Sequence, residues 1–209
     1  MKKKLCKKWK LYVITDANAS AERPLAEMVR EAVEGGASAV QLRDKTASDT
    51  QLVATARSLL EITRPRQVPL IINDRINVAR LSGADGVHLG QEDASLEEAR
   101  RLLGKKAIIG RSTHSQTQAI EAQEEGFDYI GVGPVFKTPT KPLYTPVGLD
   151  LVRFVSRHIR VPFVAIGGIN EKNIALVKAA GAKTVAVVRA VMASKNPKKT
   201  VQTLLKEMG

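Results

Sequence analysis

Gln41, Arg43 and Lys45 alternate along one short segment, so a β-strand there would carry all three on one face. A guanidinium and an ammonium together suit phosphate oxygens, Arg as a planar fork and Lys as a point charge. Further along, Asp74 follows Asn73, and Asp93 stands just past His88 and Gly90-Gln91. Two carboxylates on neighbouring loops can hold Mg2+, a hard cation that takes one or two protein oxygens and completes its shell with water and substrate phosphate. With Arg43 and Lys45 near them, the expected ligand is a diphosphate rather than a bare metal ion.

A second group of residues suits a phosphate held by backbone N–H groups. Ile166-Gly167-Gly168-Ile169-Asn170 and Val187-Val188-Arg189-Ala190 each close a short apolar run, and glycine lets an oxyanion approach the backbone closely. Between Gly133 and Gly148 lies a Pro- and Thr-rich stretch with Lys137, Thr138, Thr140 and Lys141, which reads as a lid or binding loop. Arg111-Ser112-Thr113-His114 adds hydroxyls and an imidazole, although His114 by itself reads equally well as a helix cap.

These residues need a frame that gathers them, and the rest of the chain supplies one. Short β-branched runs alternate with stretches of helical periodicity. Eight strands are expected: Leu11 to Thr15, Ala39 to Leu42, Leu70 to Asn73, Gly86 to Leu89, Ala107 to Gly110, Tyr129 to Val135, Phe163 to Ile166 and Thr184 to Val188. Between them, patterns such as Leu25, Met28, Val29 and Ala32 place apolar residues three and four apart. Gly35-Gly36, Gly83, Gly104, Gly126 and Gly181 are expected helix stops in the left-handed conformation, and Ser95 with Glu98 an expected capping box. Eight βα units without a linker predict a single (β/α)8 TIM barrel over residues 1–209, compact because 209 residues lies near the short end of that fold. An open doubly wound sheet is the runner-up, but Thr15-Asp16-Ala17-Asn18 stands where a glycine-rich dinucleotide fingerprint would follow the first strand. In a barrel, the C-terminal ends of the strands form the active site, and the polar residues above close those strands.

Composition sets outer bounds. With 44% apolar and 26% charged residues the chain is neither disordered nor fibrous, and no apolar run reaches the roughly 18 residues of a membrane span. The 33 Lys and Arg against 21 Asp and Glu give a net charge of +12, which suits anionic partners or serves solubility. Six of the first ten residues are lysine, so residues 1–9 are expected to form a basic, solvated N-terminal extension, with no export signal and no RNA-binding pattern. The lone Cys6 excludes an intrachain disulfide and a Cys-rich metal site, is expected to be inert, and fits a cytoplasmic location. The expected partners are small phosphorylated substrates, with no nucleic acid and no membrane; a homo-oligomer stays open.

Taken in order, Gln41-Leu42-Arg43-Asp44-Lys45, Asn73-Asp74-Arg75, Gly90-Gln91-Glu92-Asp93, Ser112-Thr113-His114, Gly133-Pro134 through Thr138-Pro139-Thr140-Lys141, and Gly167-Gly168-Ile169 resemble the thiamine-phosphate synthase family across essentially the whole chain. The resemblance implies a Mg2+-dependent transferase. It would condense hydroxymethylpyrimidine diphosphate with hydroxyethylthiazole phosphate, or its carboxylated form, to thiamine phosphate and pyrophosphate. By position, Gln41, Arg43, Lys45, Asn73, Ser112 and Lys141 would hold the pyrimidine diphosphate, with Arg43, Lys45, Ser112 and Lys141 catalytic. Asp74 and Asp93 would hold the metal, and Thr138, Thr140, Gly167, Gly168, Val188 and Arg189 the thiazole phosphate. Serine often stands in the family where Arg189 stands here, so only a backbone role carries over there.

Three other readings compete. A thiazole tautomerase shares the barrel and would use a histidine in the segment of His114. A Schiff-base aldolase would use Lys45 or Lys141 as nucleophile. A nonenzymatic RNA-binding protein rests on charge alone.

Overall fold

The structure, a computed structural model, describes residues 5–16, 19, 23–139 and 144–209. Strands β1 (Leu11–Ile14), β2 (Ala39–Leu42), β3 (Leu70–Asn73), β4 (Gly86–Leu89), β5 (Ile108–Thr113), β6 (Tyr129–Val132), β7 (Phe163–Ile166) and β8 (Val185–Val187) pair in sequence order into a closed barrel. Every pairing is parallel, including the β1–β8 closure. The expected (β/α)8 TIM barrel is the fold.

Helices α1 (Leu25–Gly35), α2 (Asp49–Thr63), α3 (Ile76–Ser82), α4 (Leu96–Leu103), α5 (Gln116–Glu125), α6 (Gly148–His158) and α7 (Ile174–Ala179) alternate with the strands. A short α8 (Arg189–Met192) and a closing α9 (Pro197–Met208) follow β8. Met28, Val29, Ala32 and Val33 of α1 are buried against the sheet, as their spacing predicts. Gly36, Gly83 and Gly126 cap their helices in the left-handed conformation. Gly104 differs: its φ of 77° comes with ψ of 176°, outside that region. At α7 the cap is Ala180, and Gly181 follows it at φ 103°. At α4, Ser95 accepts from the Glu98 N–H, while the full reciprocal box forms at Ser48 and Gln51 of α2.

Two strand ends move by three residues, while the end of β1, the start of β5 and both ends of β8 shift by one. β5 runs on to Thr113 because Gly110, Arg111, Ser112 and Thr113 find partners along Tyr129 to Val132, so Ser112 lies within the strand. β6 stops at Val132, since Pro134 has no N–H to give, and Val135 instead donates to the Ile166 carbonyl.

The apolar residues divide into two cores. One lies between sheet and helices; the other fills the barrel with Tyr12, Ile14, Ala39, Ile71, Ile108, Tyr129, Val164 and Ala186. Cys6 and Trp9 belong to the second, at 1% and 2% exposure, and correct the expectation of a solvated extension. Their apolar bodies close the barrel under Tyr12 and Tyr129, while Leu5, Lys7, Lys8 and Lys10 stay exposed. Residues 1–4 lie outside the described residues.

Candidate active site

A pocket opens at the C-terminal end of the barrel, lined by Gln41, Arg43, Asn73, Ser112, Thr138, Gly167 and Val188 among the expected residues. Alternation explains the gathering. Gln41 on β2 and Arg43 one residue past its end sit two apart and both line the pocket, while on β5 Ser112 lines it and Gly110, two residues earlier, faces Tyr129 and His88. Arg111 points the other way, lies over the Phe127 ring and donates to the Gln91 carbonyl. Thr113 is buried and donates to the Gly131 carbonyl.

Asp74 and Asp93 stand close to one another beside this pocket. Burial first, and then the adjacent Asp93, push the Asp74 carboxyl above its ordinary value, and Lys45 pulls it back. Lys45 Nζ stands 3.5 Å from Asp74, with its side chain 61% exposed. The Asp74 backbone, at φ 63°, occupies the left-handed region, which costs a non-glycine residue about 1–3 kcal/mol and recurs at functional positions. Asp93 accepts the Gly90 N–H at 2.6 Å. Two adjacent carboxylates whose charges oppose each other, with no third acidic, His or Cys partner among the described residues, fit a hard dication that completes its shell with water and phosphate.

At β7 the glycine pair is also demanded by packing. A Cβ on Gly167, at φ 107°, would stand 2.5 Å from Pro134, and one on Gly168, at φ 65°, 2.7 Å from the Lys137 carbonyl. The turn therefore lets the loop after β6 lie against the loop after β7, with Phe136 donating to the Gly167 carbonyl. Arg189 opens α8 and is exposed outside the pocket lining. Thr140 and Lys141 lie outside the described residues.

His114, one residue past β5, lines the pocket and gives its Nδ1 hydrogen to the Gly133 carbonyl, which can only accept. The Tyr144 ring lies 5.4 Å from it. Sequence reading assigned no role to Tyr12, His88 or Tyr129, yet all three line the floor. Gln41 donates to the Tyr12 hydroxyl at 2.9 Å, Tyr12 and Tyr129 hydroxyls lie 3.0 Å apart, Tyr129 meets His88 Nδ1 at 2.9 Å, and His88 Nε2 meets Ser112 at 3.0 Å. The signal was present: His88 sits where a strand's inward parity and a polar side chain coincide, and each tyrosine carries a polar tip in an apolar run.

Comparison with known proteins gives this pocket a context. Residues 11–191 match the family described as Thiamine monophosphate synthase. A thiamine-phosphate synthase of Chloroflexus aurantiacus is 48% identical over 187 residues, covering 89% of this chain and 86% of that protein. One of Shouchella clausii is 42% identical over 203 residues, 97% of each. The solved thiamine phosphate pyrophosphorylase of Pyrococcus furiosus superimposes with a TM-score of 0.89 at 39% identity, covering 98% of this chain and 97% of that one. No helix among the described residues is long and apolar enough to cross a membrane. With the family model matching nearly the whole barrel, and relatives aligned along nearly their full length, the chain belongs to the thiamine monophosphate synthase family.

Proposed function

We propose that the C-terminal mouth of the barrel, working within one domain, joins a pyrimidine diphosphate to a thiazole phosphate and releases pyrophosphate. The observation that carries this reading is the convergence of Gln41, Arg43, Asn73 and Ser112 with Gly167 and Val188 on one pocket. Ile14, Val164 and Ala186 give it apolar walls, and the Gln41 amide lies in its floor, a combination that suits a flat heteroaromatic ring.

Arg43, Lys45 and Lys141 hold the diphosphate, with Asn73 and Ser112 supplying neutral hydrogen bonds. Asp74 and Asp93 would hold Mg2+, which when bound neutralises charge on the diphosphate. The bond between the pyrimidine methylene carbon and the diphosphate oxygen breaks, and its electron pair leaves with the oxygen. The thiazole nitrogen then donates its lone pair to that carbon. Thr138, Thr140, the Gly167-Gly168 backbone, Val188 and the backbone of Arg189 hold the thiazole phosphate in line. No residue need form a covalent intermediate. The protein contributes charge stabilisation and alignment, and Lys141 acts on the leaving group from the loop after β6. The lone cysteine suits a cytoplasmic setting.

Lys45 disfavours the aldolase alternative. Its ammonium faces a carboxylate at 3.5 Å in an exposed place, whereas a Schiff-base lysine needs a desolvated amine. The test is direct: the purified protein with both substrates and Mg2+ should yield thiamine phosphate and pyrophosphate in equal amounts. Failure to release pyrophosphate refutes the reading.

A further inference from the structure

The interior of the barrel is filled in part by a residue that belongs to no strand. Barrel interiors are ordinarily packed with bulky branched side chains supplied by the strands themselves. Here several inward positions are small. Ala39 on β2 and Ala186 on β8 lie in the interior core, and a Cβ added at Gly110 on β5 or Gly131 on β6 would meet Tyr129 or His88. Three rings in mutual contact take the room that is left. Tyr12 and Tyr129 stand 6.0 Å apart, and Trp9, from the segment before β1, lies 5.4 Å from Tyr12 and 5.1 Å from Tyr129.

Of the three, only the two tyrosines line the pocket; Trp9 is buried one layer below them. Its backbone is pinned to the sheet. The Trp9 carbonyl accepts from the buried Thr184 hydroxyl at 2.7 Å, and the next residue, Lys10, gives its N–H to Ser38 Oγ at 2.9 Å and accepts the Val185 N–H at 3.0 Å. The indole is therefore a fixed stop under the floor. Its Nε1 hydrogen is buried with no hydrogen-bond partner among the described residues, so what Trp9 supplies there is the bulk of a large flat ring. Above it, the Tyr12 hydroxyl accepts from Gln41 Nε2 at 2.9 Å, so a Tyr12 ring that sank would carry the Gln41 amide down with it.

We propose that Trp9 is a positioning residue that sets the depth of the pocket from the closed end of the barrel, and with it the size of ring the pocket takes. The proposal rests on the pocket being the pyrimidine site. With the diphosphate at the rim beside Arg43, Lys45 and Asp74, the ring carbon opposite the diphosphate-bearing arm points toward the floor. A close-packed floor on a fixed stop has no slack for an added methylene at that carbon, and a smaller side chain at position 9 supplies it.

The experiment compares pyrophosphate release from two pyrimidine diphosphates, one with methyl and one with ethyl at that carbon, under saturating thiazole phosphate and Mg2+. The parent should prefer methyl by about 10–200-fold in kcat/KM, the usual worth of one methylene in a close-fitting apolar pocket. Trp9→Phe should narrow that ratio, and Trp9→Leu should narrow it by about tenfold or more, while the KM for thiazole phosphate stays at the parent value. Leu204→Ala empties a buried position on α9, in the core between sheet and helices, and is the control for loosening in general; it should keep the parent ratio. Equal ratios in the parent and both Trp9 variants, a parent indifferent to the two rings, or the same narrowing in Leu204→Ala overturns the proposal. Should Trp9→Leu fail to fold, Trp9→Phe decides. A parent that releases no pyrophosphate from either ring overturns the synthase reading and this proposal together, whereas release with an unmoved ratio overturns this proposal alone.

Discussion

Gly110→Ala is the smallest change that should damage both the fold and the pocket. The added methyl would project into the barrel 2.2 Å from Tyr129 Cζ, 2.4 Å from its Cε1 and 2.7 Å from His88 Nδ1. Tyr129 cannot retreat, because Trp9 and Tyr12 pack against it from below and it is fully buried. Overpacking a filled interior costs about 1–3 kcal/mol. Displacing Tyr129 from Tyr12 and His88 adds two hydrogen bonds at about 0.5–1.5 kcal/mol each, for a total of about 2–6 kcal/mol. At about 2–4 °C per kcal/mol for a chain of this size, the melting temperature should fall by about 4–24 °C. Gly131→Ala is the control. Its methyl would meet His88 Cε1 at 3.2 Å, a contact that a small shift relieves, so its cost should stay near about 1 kcal/mol. Urea unfolding of both variants and the parent measures the difference. Equal stability of Gly110→Ala and the parent would refute the packing of the barrel floor described above.

Three further outcomes follow from the same geometry. Folded protein binds the Asp74 proton more tightly than unfolded protein does, because burial and Asp93 raise that carboxyl; metal-free stability should therefore fall as pH rises from the ordinary carboxylate value through the raised one, and Asp74→Asn should flatten that fall in urea midpoints. Mg2+ at a hundred times its dissociation constant should stabilise the parent by about 2.7 kcal/mol in a thermal scan and should leave Asp74→Asn unmoved; an equal shift in both removes Asp74 from the metal site. Arg43→Ala should nearly abolish pyrophosphate release while His114→Asn keeps measurable coupling; a tautomerase would lose about 10²–10⁴-fold with His114→Asn and tolerate the loss of Arg43.

Much of this protein is local physics. A short apolar, β-branched run such as Leu70 to Asn73 and a period of three to four in α1 are legible wherever each segment sits, because strand preference and side-chain direction follow from that segment alone. Eight such units without a linker left few ways to close the sheet, so the barrel was readable; of the expected row, Gln41 and Arg43 line the pocket, while Lys45 stands outside its lining beside Asp74. The strand ends were less so: β5 extends to Thr113 only because β6 offers partners, a fact about two segments rather than one. Which side chains meet across the lumen was decided by closure. Gln41, Tyr12, Tyr129, His88 and Ser112 come from β2, β1, β6, β4 and β5, and only the barrel's curvature and register bring their polar tips into line. The N-terminal segment shows the same division. Its lysines announced a solvated arm, but the burial of Cys6 and Trp9 depended on an open barrel end that needed apolar surface to fill it, and no local pattern in ten residues records the shape of that space.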